Sequence, residues 1–169
     1  LIIEWYNAWT LVENNISPHF PIFYGTNQCI FNKYSFEVEQ NEIHLFKNKY
    51  NHSKIFKNKS GYSVEYKNVP VQLLFMEKIA HTFDDFLDSE HSEIEWKSIL
   101  FQIIIAIYTI QKKYSICHND LHIGNVMYSH TNQKYLYYNI NNTYYRVKTF
   151  NKIIKIIDFG RATYEWNNY

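Results

Sequence analysis

The sequence has little cysteine, little net charge and no long apolar run. Cys29 and Cys117 are its two cysteines. Two distant thiols with no C-x-x-C pattern exclude a disulfide framework and a cysteine-ligated zinc site, and fit a reducing compartment. The formal net charge is +1, so nothing draws the chain to nucleic acid or to an anionic membrane. Lysines and asparagines are scattered through residues 41–68 and form no basic block, so they read as a solvated loop face. The most apolar stretch, residues 99–110, is interrupted by Gln102 and flanked by Lys97 and Lys112. It falls short of the roughly 18–20 apolar residues that cross a bilayer and reads as a buried core helix. No secretory leader pattern is visible. The chain begins with Leu1, so its true start is expected upstream. Its 169 residues, 46% of them hydrophobic, suffice for one domain with a core.

Along the chain, residues 1–15 place Ile2, Ile3, Trp5, Tyr6, Trp9 and Val12 among polar residues and read as an amphipathic helix ended by Asn14, Asn15 and Pro18. Short strands are expected at 22–24 and 28–36. Residues 39–68 are polar and weakly periodic, and read as a surface insertion. Residues 71–76 form a continuous apolar run, a buried strand, followed by a connector at 77–81. Thr82 is positioned to cap a short helix with Asp84 and Asp85 in its first turn. A long helix starts at Ser92 or Glu93 and ends near Tyr114. A strand at 126–128, a tyrosine-rich hairpin at 135–145 turning at Asn141-Asn142, and a strand at 153–157 complete the pass. Cys117 stands next to His118, but adjacent side chains rarely aim at each other, so Cys117 is expected in the core.

Two segments carry chemistry. His118-Asn119-Asp120-Leu121-His122-Ile123-Gly124-Asn125 spells H-x-D-x-x-x-x-N. Asp158-Phe159-Gly160 follows the run at 153–157. The pair, in this order and each beside an apolar segment, resembles the catalytic loop and the D-F-G of eukaryotic-type protein kinases. Ser17-Pro18-His19-Phe20-Pro21, Asp120-Leu121-His122 and Ile156-Ile157-Asp158-Phe159-Gly160-Arg161-Ala162 resemble most the divergent Ser/Thr kinases of large DNA viruses.

The resemblance implies an α+β, protein-kinase-like bilobal fold, present in part and truncated after D-F-G. Residues 1–76 would be the remnant of the N-lobe, with a polar insertion at 39–68. Residues 77–81 would be the hinge. Residues 82–169 would be the first part of a helical C-lobe, with the catalytic loop at 118–125 and D-F-G at 158–160. The implied reaction is phosphoryl transfer from ATP to a protein Ser/Thr hydroxyl. Asp120 would serve as the catalytic base or orient the acceptor, and Asn125 and Asp158 would bind Mg²⁺. His118 would be structural, packing near Phe159 to hold Phe159 and Gly160 in place. Met76 would stand behind the adenine of ATP, the Glu77 C=O and Ile79 N–H would bond its edge, and Met127 would pack beneath it. Asp84 either reaches the ribose or caps a helix. Glu4 either pairs with the ATP-binding lysine or is a solvated helix residue. The partners implied are ATP and an unidentified protein substrate, with no nucleic acid and no membrane. The location implied is cytoplasmic, in a host cell or a virion if the chain is viral.

The sequence departs from this pattern in several places. Asn119 replaces an arginine that ordinarily receives a phosphate, so control by phosphorylation beyond Gly160 is not expected. His122 replaces a lysine and keeps a small-molecule kinase open as an alternative. There is no glycine-rich loop, no Val-Ala-Ile-Lys strand and no A-P-E. The chain alone is therefore expected to bind ATP poorly, and a pseudokinase or kinase remnant acting as a binding module is the other alternative.

Overall fold

A computed structural model of the chain describes residues 9–46, 53–58 and 61–164. The chain divides into two compact units. One comprises Leu1–Tyr24 and Met76–Tyr169, the other Gly25–Phe75.

The first unit carries the two motifs. Helix α1 occupies residues 9–13 and ends where Asn15 turns left-handed at φ 55°. Helix α3 (Phe83–Leu87) is capped as the sequence predicts. The Thr82 hydroxyl accepts from the Asp85 N–H, and the Asp85 carboxylate accepts from the Thr82 N–H. Those bonds hold the Asp85 carboxyl below its ordinary range. Helix α4 (Glu93–Tyr114) starts on Ser92 and stops at Ser115, which adopts φ 52°. Its buried face packs Ile99, Ala106 and Ile110 against Leu11, Phe20, Phe83, Phe86, Ile116, Val126, Tyr128, Ile154, Ile156 and Phe159. Gln102, fully buried, accepts from the Ile154 N–H (3.0 Å) through Oε1 and so ties α4 to β9 (Lys152–Ile156).

Strand β9 pairs antiparallel with β6 (Val126–His130), which pairs with β4 (His81–Thr82). Strands β7 (Tyr135–Ile140) and β8 (Thr143–Lys148) form the expected hairpin. Asn141 and Asn142 both adopt positive φ at its two-residue turn. Leu136 and Tyr138 turn inward onto Ile105 of α4. Strand β10 (Thr163–Tyr164) pairs with β5 (Ile116–Cys117). Cys117 is exposed, against the expectation of a core thiol: alternation along β5 buries Ile116 and turns its neighbour outward.

The second unit is a three-stranded sheet in the order β1-β3-β2, with β1 Phe23–Val38, β2 Ser53–Asn58 and β3 Gly61–Met76. Strand β1 is one continuous element where two short strands were expected. Strand β3 begins ten residues earlier than the apolar run at 71–76, because Val64 and Tyr66 continue its alternation through polar sequence. Together with α2 (Ile43–Phe46), Val38, Ile43 and Val64 form a small core.

The expected bilobal kinase architecture with a helical C-lobe is not what the chain forms. Strands dominate the described residues, in four small sheets, and α4 is their one long helix. The physical reason lies in the pattern. Helical apolar periodicity extends over several turns only at 93–114. The hairpin segments at 53–76 and 135–148 alternate with a period of two and pair as strands. Glu4 lies outside the described residues.

Candidate active site

The two motifs meet at Ile157. Its N–H donates to the backbone carbonyl of Asn125 (3.0 Å), and its own carbonyl accepts from His118 Nε2 (2.9 Å). One residue of the strand before Asp158 is thus held at both polar groups by the two ends of the 118–125 loop. The register Val126↔Ile156 fixes the same juxtaposition from the sheet side.

The loop residues are individually locked. His118 is buried, and its Nδ1 accepts from the Asp120 N–H (3.3 Å). The proton must therefore sit on Nε2, which donates to Ile157. The His118 ring packs on Phe159 at 4.9 Å between centroids, and Phe159 packs in turn on Phe20 at 6.0 Å. Phe159 is 1% exposed. Asn125 is buried, and its Nδ2 donates to the Asp120 carbonyl (2.9 Å). That bond identifies the other side-chain atom as the carbonyl oxygen, which accepts no hydrogen bond among the described residues.

Asp120 is partly exposed, and its Oδ1 lies 3.3 Å from the guanidinium of Arg161. Asp158 is exposed, at φ 60°, and its Oδ1 accepts from the Gly160 N–H (3.0 Å). A Cβ at residue 160 would stand 2.9 Å from that oxygen, so glycine leaves the carboxylate its position. Residue 158 therefore sits in a sharp left-handed turn, an arrangement an L-residue adopts only when surroundings enforce it.

A cavity of about 230 Å³ opens beside Asp158. Its walls are Met76, Glu77, Ile79, Met127, Ile157 and Asp158. Five of these six are residues the sequence singled out. The Glu77 carbonyl and the Ile79 N–H take part in no hydrogen bond among the described residues. Asp84 is exposed in the first turn of α3 and does not line this cavity.

Lys155 escaped the sequence reading. Its Nζ donates to the Phe20 carbonyl (3.0 Å) and to Glu77 Oε2 (3.0 Å), with the side chain 8% exposed. Glu77 Oε2 also accepts from the Ile22 N–H, and the Glu77 N–H donates to the Ile22 carbonyl (2.7 Å). Lys155 thereby anchors the wall formed by Met76, Glu77 and Ile79 to β9. The signal was available: a lysine within an otherwise apolar strand entering the core needs an acceptor there.

Among the described residues, no group of three or more His, Cys, Asp or Glu side chains is placed to hold a metal. The oxygen donors near the motif junction are the side-chain Oδ1 of Asn125 and the carboxylates of Asp120 and Asp158, hard donors suited to Mg²⁺ rather than to a softer ion. Nor is any helix among the described residues long and apolar enough to cross a membrane.

No family model matches the chain. Over 72 residues it is 36% identical to a protein of Dictyostelium discoideum described as a probable serine/threonine-protein kinase. The match covers 39% of this chain and 6% of that protein. The relative belongs to a cellular organism, and the comparison lends no support to the viral affinity expected from the sequence. What the comparison does show is that the chain is similar, over 72 residues, to a probable serine/threonine-protein kinase.

Proposed function

We propose that this chain carries the acceptor-activating and metal-holding loops of a phosphotransferase that moves the γ-phosphoryl group of ATP to a protein Ser/Thr hydroxyl. One observation carries the reading: Ile157 is hydrogen-bonded at both its polar groups to the 118–125 loop, which draws Asp120, Asn125 and Asp158 to one junction. The partial likeness to a probable serine/threonine-protein kinase supports it.

In this reading the Asp120 carboxylate orients the acceptor hydroxyl and takes its proton as the oxygen attacks the γ-phosphorus. The bond from that phosphorus to the β,γ-bridging oxygen breaks, and ADP leaves. The Asn125 carbonyl oxygen and the Asp158 carboxylate would hold Mg²⁺, which supplies charge neutralisation along the phosphates. His118 keeps both loops in register through its Nε2–H. Met76, Met127 and Ile157 offer apolar walls to the adenine, and the unbonded Glu77 C=O and Ile79 N–H offer its edge one acceptor and one donor.

The test uses the complete polypeptide in which these residues lie, supplied with Mg-ATP and with protein and small-molecule hydroxyl acceptors. Transfer to protein is expected. Asp120→Asn should slow it about 10²–10⁴-fold with ATP binding retained, and Asp158→Asn should abolish Mg²⁺-dependent binding and transfer together. ATP binding without transfer by the unmodified protein would overturn the catalytic reading and leave a nucleotide-binding module. Transfer confined to small molecules would overturn the choice of acceptor.

A further inference from the structure

Asn119 sits between two residues of the proposed site, and neither loop needs its side chain for the roles described above. It adopts φ 61°, which an asparagine tolerates better than most residues. Its amide reaches across more than forty residues of sequence. Nδ2 donates to the Arg161 carbonyl (3.1 Å) and to Thr163 Oγ1 (2.8 Å). Those two bonds bracket the start of β10, whose ladder with β5 holds only the pairs Thr163↔Cys117 and Tyr164↔Ile116. A two-pair ladder is marginal by itself. The stretch after Gly160 is otherwise tied down by the Ala162 N–H to the Phe159 carbonyl (3.1 Å) and by Arg161. The Arg161 side chain is 75% exposed, yet its guanidinium is delivered to Asp120 Oδ1 at 3.3 Å. An exposed arginine gains little from such a pair and has many other rotamers available. Its backbone has to be positioned for the contact to form, and the Asn119 amide bonds that backbone directly.

We infer that Asn119 is a positioning residue for the proposed transfer: its side-chain amide latches residues 161–163 onto the 118–125 loop and so sets Arg161 beside Asp120. The latch is built from neutral groups within the chain and needs no added phosphate. This inference rests on the function proposed above, and the experiment separates the two.

Amide hydrogen exchange is measured in the complete polypeptide for Asn119→Gly, Asn119→Asp and Thr163→Val. Glycine tolerates the left-handed backbone and removes the whole side chain. Aspartate keeps the shape and removes the N–H donors. Valine removes one of the two acceptors. All three variants are expected to speed exchange at Thr163 and Tyr164, the glycine and aspartate variants by about tenfold or more for two lost hydrogen bonds, while Ile154 and Ile156 exchange as before. In the transfer assay the same variants should lower kcat and leave the KM for ATP in place. Treating the unmodified protein with phosphatase should not change its rate. Unchanged exchange at 163–164 in both the glycine and valine variants would overturn the latch, whether or not the protein transfers phosphate. A loss of rate on phosphatase treatment would overturn its independence of phosphate. Absence of transfer by the unmodified protein would overturn the proposed function, and the exchange data would still decide whether the latch exists.

Discussion

His19 has no exposed surface, and both its ring nitrogens are engaged. Nδ1 lies 2.9 Å from the Ile154 carbonyl, which can only accept, so Nδ1 carries the proton and Nε2 accepts from the Tyr138 hydroxyl at 2.9 Å. Burial pushes the His19 pKa down to about 4, with Lys155 adding to the effect and the bond to Ile154 opposing it. Burial likewise pushes the Tyr138 phenol up. The sign of the pH effect follows. Between the unfolded value of 6.5 and about 4, the unfolded chain binds a proton that the folded chain refuses. The contribution of His19 is therefore complete above pH 6.5 and lost as the pH falls towards 4, on the order of 3 kcal/mol over the whole window. Burial opposes the charge of Glu95, but bonds from Lys152 and His91 hold its carboxyl below the ordinary range. Urea midpoints measured from pH 7.5 to 5 should fall for the native chain. In His19→Gln they should start lower and slope less. Equal slopes in both proteins would show that His19 is not the group responsible.

At the scale of elements, the β7–β8 hairpin depends closely on its turn. Thr143 pairs directly with Ile140, which leaves Asn141 at φ 49° and Asn142 at φ 64° to close the loop. Both angles suit the turn that matches strand twist, and both disfavour a β-branched residue. Asn142→Gly should raise thermal stability slightly. Asn142→Val should lower it by about 1–3 kcal/mol, the usual range for a strained left-handed residue, and should loosen Leu136 and Tyr138 from Ile105. Thermal melts followed through tyrosine fluorescence will check this, and a valine variant as stable as the parent would mean the turn is not what sets the register. Elements with local signals of this kind were legible beforehand. Thr82 with Asp85 announced α3, Ser92 announced α4, and Asn141-Asn142 announced the hairpin, because caps and turns are decided by neighbours in sequence. The length of β3 was not legible. Its first six residues, Gly61–Tyr66, gain their partner only because β2 lies alongside, and polar alternation alone is a weak sign of a strand.

For the molecule as a whole, the division into two units carries a consequence. The larger unit has its own cores, around Phe20, Phe86 and Ile156 and around Leu136 and Tyr138. Its chain leaves at Tyr24 and returns at Met76, and Ile22 and Glu77 are joined there by backbone hydrogen bonding at 2.7 Å. Replacing residues 25–75 by an Asn-Gly turn should therefore leave a chain that still unfolds cooperatively, with its far-ultraviolet spectrum shifted towards helix because α4 remains. A non-cooperative melt of the shortened chain would show that the larger unit depends on residues 25–75. The helical C-lobe expected from the two motifs failed at this same scale. Motifs of eight and three residues specify loops, and they left open whether the segments between and around them pair as strands or wind as helices.

The sequence by itself determined the two short motifs, the caps of α3 and α4, the hairpin turn and the buried stripe of α4, since each depends on side chains within a few positions of one another. Only the tertiary structure decided the rest. It brought Ile157 between His118 and Asn125, and placed Met76, Glu77 and Ile79 on one cavity with Met127 and Asp158. It also supplied acceptors for Lys155, partners for Gln102 and His19, and a second strand for Asn119 to hold. These contacts join residues tens of positions apart, and a buried polar group advertises in sequence only that it needs a partner, never which one the packed chain will provide.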